Sequence, residues 1–411
     1  MNKIYCLLLL FSYAFAAEIS SDHISFNGDI LLLDGKVKLS SPLGTLTSAF
    51  ARLKKESRAT DLIFSKAILK ENVHIFLKKN GHITCDLARL DFSTLLGDLN
   101  AFTGYVTYEE KKRPLSIIAR AINFKMIRAP DFDIDNLIAI GFARASINNL
   151  YTLTAERMSY HKFIKRAPEG ILRAYHNPEF LSENLQLRAY SMMLDLRTFY
   201  LQMTSVDGTI VSEGDTLSFV CGRLSYDLKK NSALLKDQAI VYSPKIGLLE
   251  AKEEISIHKN MLGKVDSVKT KGPMTYRHLG HTLSTAGKLH LNQMTGTLTV
   301  EEGELCYENE TFSVYSNRGK IEYSEGIDLV NLEGDILVLL HKSEGRIERA
   351  LCDYLTYKPH EHLLRLVAKP GNKVHLWNEE ESLEFMADEI ELSNEGDRAV
   401  HCIGPSKCIL Q

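Results

Sequence analysis

Apolar and polar residues alternate along this chain in short runs, as in Val73-x-Ile75-x-Leu77 and Leu383-x-Phe385. A period of two puts every second side chain on one face, so each run predicts a strand buried on one side. No apolar stripe at helical spacing persists. The runs share a frame in which a small residue is followed by two larger apolar ones. It reads Ala119-x-x-Ile122-x-Phe124, Ala155-x-x-Met158-x-Tyr160, Cys221-x-x-Leu224-x-Tyr226, Ala286-x-x-Leu289-x-Leu291, Cys352-x-x-Leu355-x-Tyr357 and Ala387-x-x-Ile390-x-Leu392. Looser copies stand in "SAFARLKK", "CDLARLDF" and "AKEEISIH". Before each comes a turn and a short alternating run, as in "DGKVKLS", "KENVHIFL", "EGDILVLL" and "PGNKVHLW". Gly35, Gly104, Gly141, Gly208, Gly272, Gly303, Gly334, Gly371 and Gly404 punctuate these turns. The recurrence, roughly every 33 residues, describes an array of about eleven units.

Two or three short strands cannot bury an apolar face alone, so the units must stack, each covering its neighbour. The expected fold is all-β, with stacked short-strand repeats forming one or two open β-jellyrolls. The recurring frame then has a steric meaning. Next to a tight corner the inward position has little room and takes a small residue, after which two larger residues point into the core. Regularity weakens between about residues 161 and 205, where Pro168 and Pro178 would each miss a ladder donor. The boundary is drawn there, giving rolls over 17–170 and 171–411, with one continuous stack as the alternative.

The first residues run from Asn2 and Lys3 through "IYCLLLLF" to Ala14-Phe15-Ala16, the pattern of a leader cleaved after residue 16, so a periplasmic location is expected. The chain has 49 Lys and Arg against 52 Asp and Glu, net charge −3, which becomes −4 once Lys3 leaves with the leader. That balance argues against nucleic acid as a partner. Six cysteines follow the leader. Cys221 and Cys352 occupy the slot that Ala fills elsewhere and read as small buried hydrophobes, with a structural bridge as the alternative. Cys402 and Cys408 flank the turn-like "IGPSK" and could face each other across a hairpin.

Catalytic signatures are missing: no phosphate loop, zinc helix or nucleophile elbow is present, and no cofactor or metal is expected. "DFDID" sets Asp131, Asp133 and Asp135 at alternate positions without the glycine and distal glutamate of a calcium loop, so it reads as a solvated strand face. His360, Glu361 and His362 read as a surface turn, since two histidines without a third ligand do not make a metal site. A polysaccharide-cleaving β-solenoid enzyme remains an alternative, with its acid and base drawn from carboxylates such as Glu379, Glu380 and Glu381. A structural or adhesive solenoid packed with its own side chains is another.

The leader and the stacked units together resemble the OstA-like family, which comprises the periplasmic bridge protein of lipopolysaccharide transport and the amino-terminal domain of its outer-membrane translocon. The stretches that carry the resemblance are "LLLDGKVKLSSPLGTLTSAFARL", "ILKENVHIFLKKNGHITCDLARLDF" and "LHKSEGRIERALCDYLTY" running into "VHLWNEEESLEFMADEIELS". The chain is longer than a single bridge protein and lacks the amphipathic carboxy-terminal strands of a translocon barrel. The resemblance implies an open jellyroll without catalysis, whose apolar interior carries the acyl chains of lipopolysaccharide. About a dozen methylenes at about 0.8 kcal/mol each would cost on the order of 10 kcal/mol to expose to water. It further implies edge-strand pairing with inner-membrane and outer-membrane transport components and head-to-tail self-association. Inward residues that would line the lipid path are Val37, Leu39, Val73, Ile75, Leu77, Val106, Ile117 and Leu153. The same residues would serve equally as plain core.

Overall fold

The computed structural model describes residues 18–410, apart from 42–43, 56–63, 79–80, 111–113, 128–132, 164–166, 213–214, 261–263, 302, 325, 342–346, 379–381 and 394–398. The expected leader, Asp131 and Glu379 to Glu381 lie outside the described residues. The chain is all-β and antiparallel, as the alternation predicts, with one 3-10 turn at Pro359–Glu361 among the described residues. It divides into two compact units, 1–203 and 204–411. The sequence boundary at 170/171 falls inside the strand Ala167–Tyr175, which pairs with Tyr151–Phe163 on one edge and Leu185–Asp195 on the other, all within the first unit. Pro178 sits just ahead of the strand Glu179–Ser182, where its carbonyl accepts from the Ala189 amide at 3.1 Å and its missing N–H costs no ladder bond.

Each unit consists of two facing ladders. In the first unit the long strands Ile30–Ser41, Gly44–Lys55, Phe64–Leu77, Gly81–Asp91, Asp133–Ile147 and Tyr151–Phe163 belong to both, one half to a front ladder and the other to a back ladder. Shorter strands fill single places: Leu96–Asn100 and Ala121–Ile127 in front, Val106–Glu110 and Leu115–Ala119 behind. In the second unit Asp215–Asp227, Ile327–His341 and Ile347–Lys358 are among the long two-ladder strands. Pairs such as Leu289–Asn292 with Thr297–Val300 in front, and Leu305–Glu308 with Phe312–Ser316 behind, are short.

The corners explain the recurring frame. Ala119, Ala155 and Ala387 are the last inward positions of the back ladder, and Ile122, Met158 and Ile390 the first inward positions of the front one; all are buried. The two residues between them turn the corner. Ser48-x-x-Ala51-x-Leu53 and Cys85-x-x-Ala88-x-Leu90 sit in the same frame, with every named residue buried. One copy differs from its reading. Ala286 is exposed, and Thr285 fills the slot before Leu289, because this corner holds one residue more, as does the corner from Ala251 to Ile255.

The opposite crossing, front to back, repeats a different device. Two consecutive residues enter the left-handed region at Gly35/Lys36, Glu71/Asn72, Gly141/Phe142, His176/Asn177, Asp237/Gln238 and Gly334/Asp335. In the long strands this coincides with a register shift, at Asp34/Val37, Lys70/Val73, Ile140/Ala143 and Glu333/Ile336. The bulge bends the strand so that Leu33 and Val37, on different ladders, both face inward. Glycine takes the first place in three of these six because an L side chain there costs about 1–2 kcal/mol.

Candidate functional site

The eight residues read from the sequence as interior lining all fall on the back ladder of the first unit. The structure joins four of them in one row. Leu39 pairs with Leu46, then come Ile75, Ile83, Tyr108, Ile117, Ala145, Leu153, Phe180 and Leu187, each the cross-strand partner of the one before. No member is more than 1% exposed. Val37, Val73 and Val106 lie one step nearer the corner and are equally sealed. Leu77 is half-buried at the opposite margin, opposite Gly44. The front ladder answers with a row in which bulk alternates with gaps: Leu33, Ala51, Leu69, Ala88, Leu99, Ile122, Ala139, Met158, Ala174 and Met192. Every member of this row is buried as well.

A buried polar cluster closes that core along the margin away from the corners. Glu110 ends a back strand, while Lys162 and Asp133 stand at the margin of the front ladder. Lys162 Nζ donates to Asp133 Oδ2 at 3.1 Å and to Glu110 Oε1 at 3.5 Å. The hydroxyls of Tyr108 and Tyr160 also donate to Glu110 Oε1, at 2.7 and 3.2 Å. Burial, with Glu110 beside it, holds the Tyr108 hydroxyl far above its ordinary pKa. The sequence contained no signal for this cluster, because its members lie as far as 52 residues apart.

The second unit is different at the same margin. Between its ladders lies a hollow of about 230 Å³. Its front wall is the row Tyr357, Leu364, Leu392 and Val400, consecutive cross-strand partners. The back wall is Phe312, Leu340, Leu376 and Phe385. Phe312 meets Tyr357 edge-on with ring centroids 4.8 Å apart, which closes the inner end. Thr311, Glu348, His362, Asn378 and Ser393, all at strand ends or turns on the margin, make a polar rim. At the terminal end Val400 is 39% exposed, so the hollow opens there. An apolar cavity of about 150 Å³ is enough to take up benzene, and this one is larger. Two members, Phe385 and Leu392, belong to stretches that the sequence reading singled out as packing residues.

Among the described residues, the first and last strands pair along one side only. Glu18–Ser20 and His23–Asn27 pair only with Ile30–Ser41 among the described pairings, and Ile24 and Phe26 are exposed there. Among the described pairings, Ala399–Ile403 meets only Glu389–Ser393, and Lys407–Leu410 only Leu383–Ala387.

Other sequence candidates separate in space. His360 approaches Asp328 at 3.4 Å, Glu361 holds Lys358 at 3.0 Å, and His362 turns to the hollow. Asp133 belongs to the buried cluster and not to a solvated face. Cys221 and Cys352 are free and buried in the small-residue slot, and burial pushes their thiols up to about 12. Compared with protein-family models and with curated protein sequences, the chain matches none.

Proposed function

We propose that the chain binds amphiphiles by their apolar tails between its ladders and serves as a non-catalytic periplasmic bridge of the lipopolysaccharide-transport kind. What carries the reading is the hollow of the second unit. It has aliphatic and aromatic walls, a polar rim where a headgroup can stay in water, and an end beside strands that pair on one side only among the described residues. Burying a chain of about eight methylenes there would return about 6 kcal/mol. The open edges at both termini favour strand addition by membrane-bound partners, one at the amino-terminal edge and one at the carboxy-terminal edge, or by further copies of the chain.

Site-specific photo-crosslinking in cells that make lipopolysaccharide tests this. A crosslinker at Leu376, an inward wall residue, should capture lipid, while one at His375, its outward neighbour, should not. The pair Ile75 and His74 asks the same of the first unit. Capture at neither inward position overturns the proposal. A second reading has its own observation: the sealed rows of the first unit suit a purely structural solenoid, and capture at Leu376 without capture at Ile75 would assign that role to the first unit alone.

A further inference from the structure

The last strands of the two ladders each end a row that begins in the core. On the front ladder the row runs Leu366, Ile390, Cys402; on the back ladder it runs Leu376, Phe385, Cys408. Directly paired residues of an antiparallel ladder share a face, so both cysteines point inward at the terminal rung, toward each other's ladder. Both thiols are free; Cys402 is half-buried and Cys408 exposed. The turn between them is held: Lys373 Nζ donates to the Pro405 carbonyl at 2.8 Å and pairs with Asp388. Gly404, in the left-handed region, leaves room for the Asp388 side chain, which a Cβ would approach to 2.7 Å. Burial, and after it the nearness of Cys408, raises the Cys402 thiol.

We infer that Cys402 and Cys408 are a redox site that closes to an intramolecular disulfide, tying the terminal strands of the two ladders across the interior. The oxidant is a disulfide, such as oxidised glutathione or a dithiol oxidase. The exposed Cys408, as thiolate, attacks one sulfur of that disulfide. A new S–S bond forms, the old one breaks, and the first thiolate of the oxidant leaves. Cys402 gives up its proton and attacks Cys408 Sγ, forming the internal bond and releasing the second oxidant thiolate. Two protons and two electrons have left the pair, and the oxidant has become two thiols. Val400, two residues before Cys402, and Phe385, the partner of Cys408, both line the hollow, so the bond would fix the width of its terminal opening. The inference does not depend on what the hollow holds.

The test uses the full chain, fully reduced and then equilibrated with oxidised glutathione. Peptide mapping should find the segment holding Cys402 and Cys408 lighter by two hydrogen atoms, while buried Cys85, Cys221 and Cys352 stay as thiols. Amide exchange in Ala399–Ile403 and Lys407–Leu410 should slow by tenfold or more on oxidation and recover with dithiothreitol. In Cys402→Ser the reaction should stop at a glutathione adduct on Cys408. Two free thiols after oxidation, a disulfide-linked dimer through Cys408, or unchanged exchange in the oxidised form would each overturn the inference.

Discussion

Lys162→Met should open the first unit along its margin. The side chains of Lys162, Asp133 and Glu110 are only 16%, 13% and 5% exposed, so loss of the ammonium leaves two carboxylates in a poorly hydrated place with no cation partner among the described residues. Removing one partner of a buried pair costs about 3–5 kcal/mol, because the remaining charge keeps its desolvation penalty. Against a typical stability of about 5–15 kcal/mol that is a large part of the whole. The single tryptophan, Trp377, lies in the second unit, so fluorescence would miss the change; amide exchange in Val106–Glu110 and Tyr151–Phe163 reports it directly. At about 1.4 kcal/mol per tenfold, exchange there should accelerate on the order of 10² to 10³-fold. Glu110→Gln with Asp133→Asn on the same background should recover much of the loss at neutral pH. If Lys162→Met exchanges within a factor of about two of the parent, below 0.5 kcal/mol, the cluster does not close the margin and the reasoning fails.

Other expectations follow from particular residues. Leu153→Ala, at a fully buried place in the back row, should cost about 2–5 kcal/mol in urea denaturation; a loss under 1 kcal/mol would mean that the row is not packed. Gly247 and Gly104 both have positive φ, yet a Cβ on Gly247 would sit 2.4 Å from the Arg277 carbonyl oxygen while one on Gly104 meets open space. Gly104→Ala should therefore cost only the backbone strain, about 1–2 kcal/mol, and Gly247→Ala clearly more, read as a lower Tm. His281 Nδ1 lies 2.6 Å from the Tyr307 hydroxyl, and burial, with His278 nearby, lowers its pKa against the opposing pull of Glu310. The unfolded chain then takes the proton first, so the stability this group contributes is present above about pH 6.5 and is lost as pH falls below it. His281→Gln should flatten the stability curve in that window; an unchanged curve would place the titration elsewhere.

Period-two alternation was enough to determine that the chain is all-β and which residues face inward. Val37, Leu39, Val73, Ile75, Val106, Ile117 and Leu153 are all buried, because a strand in a half-covered sheet has only two faces to choose from. The recurring small residue likewise marked the corner, since a tight bend limits volume whatever the chemistry. Ala286 escaped that reading because one inserted residue shifts the slot to Thr285, and spacing alone does not say on which side of a bend an insertion falls. Nor did the front-to-back bends at Glu71/Asn72 and Asp237/Gln238 have a glycine to announce them.

What only the tertiary structure decided is which inward rows touch. Leu153 and Leu364 follow the same local pattern, yet one is sealed in a row of ten in register and the other lines a hollow. In the first unit both facing rows are buried throughout, and in the second a hollow stands between Phe312 and Val400. The cluster of Glu110, Asp133 and Lys162 arises in the same way. Alternation sets which face a side chain takes, while the partner it finds there depends on strand register and on corners that lie tens of residues away in the chain.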